Sequence, residues 1–100
     1  MTKIMELRGI KLLKDFMKRH ADAREPILAW IKEVEETAWK GTCDIKERHR
    51  TASFLGKNMV IFNIKGNSYR LVIKVAFAMG IATVLYIGVN GKIKVYQFWE

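Results

Sequence analysis

The sequence predicts an α+β fold, with two N-terminal helices on one face of a small antiparallel sheet of three to four strands. Three observations carry it. Apolar residues recur near a 3.6-residue period between Leu7 and Ala38, then give way to β-branched and aromatic runs from Met59 onward. Two tight-turn signals, Gly66-Asn67 and Asn90-Gly91, punctuate those runs. Helices first and strands afterwards is the order of an α+β domain. With no repeat, low-complexity run or linker, residues 1–100 read as one domain.

In Leu7 to His20, the residues Leu7, Ile10, Leu13 and Met17 form an apolar stripe, with Arg8, Lys11, Lys14, Lys18 and Arg19 around it. That is an amphipathic helix. After the break "HADAREP" a second helix is expected: Asp22 can cap it, and Pro26 is tolerated only in a first turn. Ile27, Trp30, Ile31, Val34 and Ala38 share its inner face, and Gly41 is a natural stop. "DIKERHR" adds a short helical turn. Strands are expected at 59–65, 68–76 and 81–89, and "KIKVYQFW" alternates well enough to return as a fourth. "LVIKVAFAMGIATVLYIGV" is long enough to cross a membrane, but its β-branched residues, two glycines and central Lys74 fit two buried strands better.

A two-residue turn at Gly66-Asn67 fixes the hairpin register, because short loops permit few pairings. Ile64 should face Tyr69, Asn63 face Arg70, and Phe62 face Leu71. Side chains alternate, so Val60, Phe62, Ile64, Tyr69, Leu71 and Ile73 form the core face. Ile61, Asn63, Lys65, Ser68, Arg70, Val72 and Lys74 form the other, half apolar and otherwise cationic or amide. Charge is segregated the same way. The net charge is +8, and between Arg48 and Trp99 there are eight Lys/Arg and no Asp or Glu. A strand-rich, acid-free half suits a polyanion or an acidic protein partner. Cys43 is the only cysteine, so disulfides and Cys-rich zinc sites are not expected. Together with a charged N-terminal segment unlike a secretory leader, this points to the cytoplasm.

The stretches "HADAREPILAW", "DIKERHRTASFLGKNMVIFNIKGNSYRLVIKV" and "GIATVLYIG" resemble the HigB family of toxins from bacterial toxin–antitoxin pairs. The resemblance covers roughly residues 18 to 88, and "ASFLGKNMVIFNIKGNSYRLV" is its most specific part. It implies a RelE-like fold, two helices on a twisted antiparallel sheet. It further implies an mRNA interferase that cuts messages on the translating ribosome, silenced by a cognate antitoxin carrying a DNA-binding helix-turn-helix. Asn63, Lys65, Asn67, Tyr69 and Arg70 fall on family positions, as do Lys46, Arg48, Arg50 and Ser53. The tail departs from the pattern. Where relatives run Gly-Thr-His, two residues, then Tyr-Asp, this chain has Val89 for Thr, Asn90 for His, Ile93 for Tyr and Lys94 for Asp. Leu85 and Ala78 also replace basic or polar residues of relatives.

Cleavage of this kind uses the RNA 2′-hydroxyl as nucleophile, so the protein must supply a base, an acid and charge at the phosphate, without a metal or other cofactor. Arg70 could fork two donors onto a phosphate or pair with Asn63 across the strands. Lys65 could stabilise the same charge or donate a proton. Of the two histidines, His20 ends a basic helix, where it answers the helix dipole. His49, between Arg48 and Arg50, would be held neutral as base or acceptor, unless it is a solvated loop residue. The expected catalytic set is Arg70, Lys65, Asn63 and His49. Lys46, Arg48, Arg50, Lys65, Asn67, Arg70 and Lys74 form the expected RNA contact. Tyr69 and Trp30 read as packing, Trp39 as core edge or partner surface, and Tyr96, Phe98 and Trp99 as a tail that stacks bases or docks into the protein. The runner-up to a nuclease is a catalytically silent relative that keeps RNA, ribosome or antitoxin binding.

Overall fold

The computed structural model describes residues 5–89. The order of elements is β1 (Glu6–Arg8), α1 (Ile10–Arg19), a 3-10 turn (Ala21–Ala23), α2 (Arg24–Glu35), α3 (Thr42–Arg48), β2 (Ser53–Gly56), β3 (Met59–Ile64), β4 (Tyr69–Ala76) and β5 (Ile81–Val89). The strands form one sheet in the order β1-β5-β4-β3-β2. All neighbours are antiparallel except β1 and β5, which run parallel.

Two expectations about the fold are corrected. There are three α-helices among the described residues, not two, because "TCDIKER" closes nearly two turns over the buried Ile45. Among the described residues the sheet has five strands and is mixed, not three or four strands and purely antiparallel. Leu7, assigned to the first helix by its periodicity, lies in β1 and pairs with Ala82. Gly9, with φ of +80°, then turns the chain into α1. The fourth strand expected in "KIKVYQFW" lies outside the described residues.

The central hairpin follows the predicted register from Val60↔Ile73 to Ile64↔Tyr69. Its connection is longer than expected: Lys65 leaves the strand with φ of +53°, and the Ser68 N–H donates to the Lys65 carbonyl at 3.1 Å. A bulge at Leu85 lets Val72 pair with Tyr86 while Ile73 pairs with Val84. That extra residue changes the phase of β5, so Ala82, Val84 and then Ile87 meet the core.

The core lies between the sheet and the helices. Leu13 and Phe16 of α1, Ile27, Trp30 and Val34 of α2, and Ile45 of α3 cover Val60, Phe62, Ile64, Leu71, Ile73 and Val75. Phe62 is its aromatic hub, 5.3 Å from the Trp30 ring and 6.0 Å from Trp39. Trp39 is therefore core, not partner surface. Pro26 falls in the first turn of α2, as its missing N–H requires. Asp22 does not cap that helix, because its carboxylate is engaged by the hairpin. The stretch that raised the membrane question forms β4 and β5, and no described helix is long and apolar enough to cross a membrane.

Candidate functional site

The sheet face away from the helices carries Arg70 and Lys74 on β4 and Asn63 on β3, with Ile61 and Val72 buried between them. Asn63 and Arg70 are register partners, as predicted. Lys74 is exposed, whereas Arg70 is half-buried and its Nε is enclosed with no hydrogen-bond acceptor among the described residues. A buried donor without an acceptor is costly, about 1–3 kcal/mol, and a guanidinium in that state is suited to receive an anion.

Around the edge of β3 the structure builds a second arrangement. Past its pairing with β2, this strand borders a cleft of about 210 Å³ whose walls include Pro26, Trp30 and Glu33 of α2, His49, Asn63 and Lys65. His49 ends α3, where its backbone N–H donates to the Ile45 carbonyl at 2.8 Å. Its ring stands edge-on to Phe62, 4.8 Å away, and Nε2 meets the Glu33 carboxylate. A carboxylate fixed on one imidazole nitrogen orients the ring and determines which nitrogen remains for other work. Arg48 and Arg50 flank His49 in the chain. Both arginines are exposed, and the charge touching the imidazole is Glu33.

Lys65 is likewise not free on the cationic face. Its Nζ donates to Asp22 Oδ2 at 2.7 Å, and the Tyr69 hydroxyl donates to Oδ1 of the same carboxylate at 2.7 Å. The hydrogen bonds from Lys65 and then Tyr69 hold the Asp22 carboxyl below its usual pKa of 3.8, while the bond to Asp22 raises the Tyr69 phenol above 10.0. Tyr69 thus packs as expected, 5.2 Å from the Phe16 ring, but also links the hairpin to the 3-10 turn. His20 stacks on Phe16 at 4.2 Å, inside the same cluster.

The remaining basic residues are dispersed. Lys46 donates to the Ala52 carbonyl at 2.8 Å and lies 5.9 Å from the Phe54 ring centroid, tying α3 to the start of β2. Arg48 borders a separate depression with Lys40, Asp44 and Glu47, Arg50 follows α3 in an exposed turn, and Asn67 sits at the hairpin tip. The structure therefore groups His49, Asn63 and Lys65 at the cleft and Asn63, Arg70 and Lys74 on the sheet. Lys46, Arg48 and Arg50 stand apart on α3 and its exit. Sequence reasoning missed Glu33, and read Asp22 as a helix cap, not as the partner of Lys65 and Tyr69. Both are helix-side carboxylates whose partners lie far along the chain, and no local pattern marks those pairings. Among the described residues, no group of His, Cys, Asp or Glu could hold a metal ion.

The helical layer on a five-stranded sheet, with a cationic strand face, describes a small basic α+β protein among the described residues. The HigB toxin family, described as the RelE-like toxic component of a toxin–antitoxin system, matches residues 23–90, and the chain belongs to that family. No curated protein matches the chain.

Proposed function

We propose that this toxin is a ribosome-dependent mRNA endoribonuclease, acting in the cytoplasm as a single domain and restrained by an antitoxin that carries a helix-turn-helix. The observation that supports it best is Arg70, a half-buried guanidinium whose Nε has no acceptor among the described residues, on a hairpin of β3 and β4 that contains no Asp or Glu. In this reading the 2′-hydroxyl gives up its proton and attacks the adjacent phosphorus. The P–O5′ bond breaks to leave a 2′,3′-cyclic phosphate and a 5′-oxygen that takes up a proton to become a hydroxyl, and Arg70 stabilises the charge that develops on the phosphate oxygens. Asn63, opposite Arg70, positions the ribose or phosphate. His49, oriented by Glu33, exchanges the proton. Lys65 contributes from the cleft edge, still bonded to Asp22 or released from it by the RNA. Lys74 and Asn67 extend the contact along the backbone, with Lys46, Arg48 and Arg50 outside the reacting centre.

The experiment is induction in a bacterial host without antitoxin, with message ends mapped by primer extension. New ends inside translated messages, reduced by roughly a hundredfold or more in Arg70→Ala, are the expected result, given the usual cost of removing a transition-state donor. Cuts that persist at full rate in Arg70→Ala remove Arg70 from the site. The second reading is a silent relative that binds without cutting. It is favoured by the engagement of Lys65 with Asp22 and by Val89 and Asn90 at positions where relatives have Thr and His. Well-expressed, folded protein with salt-sensitive RNA binding and no new ends would establish it.

A further inference from the structure

A groove of about 340 Å³ runs between α1 and α2, on the helical layer and away from the strand face that carries Arg70. Two pairs at helical i, i+4 spacing line it from facing helices: Lys14 and Lys18 on α1, Arg24 and Leu28 on α2. Met17 completes the floor, half-buried against the core. Leu28 is 43% exposed and Leu12, on the outer side of α1, 44%. Isolated exposed leucines need no explanation. Here, however, Leu28 and Met17 lie in a concave strip between three cations, with no acid among the lining residues. No carboxylate of the described residues forms an ion pair with Lys14, Lys18 or Arg24.

A helix dipole accounts for Lys18 in the last turn of α1, but not for Lys14 mid-helix or for Arg24 at the N-terminus of α2, where a cation is unfavourable. We propose that this groove docks an acidic amphipathic segment of the antitoxin. Its aliphatic side chains lie on Met17 and Leu28, and its carboxylates reach Lys14 and Lys18 on one wall and Arg24 on the other. Charge complementarity selects the occupant: cations on both walls of an apolar strip fit carboxylates flanking aliphatic side chains. RNA suits the groove less well, because no lining residue is aromatic and able to stack a base. A membrane surface suits it less well too, because the site is a trough and not a raised apolar ridge. The inference rests on membership of a toxin–antitoxin family and is independent of the nuclease reading.

The test measures affinity of the purified toxin for the antitoxin encoded with it, using Leu28→Gln, the double variant Lys14→Glu/Lys18→Glu, and Lys32→Glu as a control on the same helix but outside the groove. All four positions are exposed, and circular dichroism melts confirm that each variant is folded. Leu28→Gln and the double variant should each weaken binding about tenfold or more, as anchors and facing charges at an interface do, with Lys32→Glu within about twofold. The double variant should also flatten the salt dependence of binding. Unchanged affinity in Leu28→Gln and the double variant overturns the proposal. So does an equal loss in Lys32→Glu, which would mean diffuse attraction without a groove. A double variant that keeps antitoxin affinity but loses binding to an RNA oligonucleotide, or to phosphatidylglycerol vesicles, would assign the groove to that partner and also overturn it.

Discussion

Gly9→Ala tests the junction on which the first strand and first helix depend. Gly9 has φ of +80°, and a Cβ there would lie 2.7 Å from the Val84 carbonyl oxygen and 3.2 Å from the Val84 Cβ. Two costs add. A left-handed conformation costs an L-residue about 1–2 kcal/mol. Crowding a packed position costs about 1–3 kcal/mol more when the obstacle cannot move aside. Here the obstacle is backbone of β5, held by β4 on one side and β1 on the other. The expected loss is therefore roughly 2–5 kcal/mol, a large part of the total of about 5–15 kcal/mol typical of small domains. Gly56→Ala separates the contributions, because Gly56 has φ of +87° but nothing within 4 Å of the added Cβ. It should lose only the conformational part, about 1–2 kcal/mol. Gly41→Ala, extended at φ −170° with open space around it, should be within about 0.5 kcal/mol of the parent. Urea unfolding followed by the fluorescence of buried Trp30 and Trp39 reads all three variants. Equal losses in Gly9→Ala and Gly56→Ala would refute the close approach to Val84.

Asp22→Asn should remove an acid-side contribution to stability. The carboxyl pKa of Asp22 is depressed in the folded protein, so its contribution is present above about pH 4 and lost as pH falls through the folded value. The parent should thus lose more melting temperature on acidification below pH 4 than the variant does. The same substitution should bring the Tyr69 phenol back toward 10.0, seen as an earlier rise in tyrosinate absorbance on alkaline titration. Phe62→Leu removes ring contacts to Trp30, Trp39 and His49, with an expected loss of about 1–3 kcal/mol by chemical denaturation, since each aromatic pair is worth about 0.5–1.5 kcal/mol beyond its area. A loss below about 0.5 kcal/mol would mean that Phe62 is not the hub of the aromatic cluster.

What could be read in the sequence was what local physics determines. The pairing of Asn63 with Arg70 followed from a short loop and a two-residue side-chain period, and it survived a connection longer than expected. β1 could not be read this way. Three residues with one apolar member carry no alternation, and Leu7 happened to fit the helical period of Ile10 and Leu13. Its strand identity comes from an edge of β5 that lies at the other end of the described chain. The candidate site divides along the same line. Arg70 and Asn63 were found because they share a strand face. The pairings of Glu33 and Asp22 were not, because a carboxylate on a solvated helix surface looks the same in sequence whether or not a distant histidine or lysine reaches it.

The parallel pairing of β1 with β5 also constrains the order of events during synthesis. Glu6 can find Ile81 only after every intervening element has been made, and closing so long a loop is slow compared with forming helices or a local hairpin. A nascent chain that has extruded α1, α2 and the central hairpin still lacks the strand that receives both β1 and the Gly9 junction. The sheet cannot close on its N-terminal edge until Ile81–Val89 has left the ribosome, so this toxin completes its fold only as its last described strand emerges.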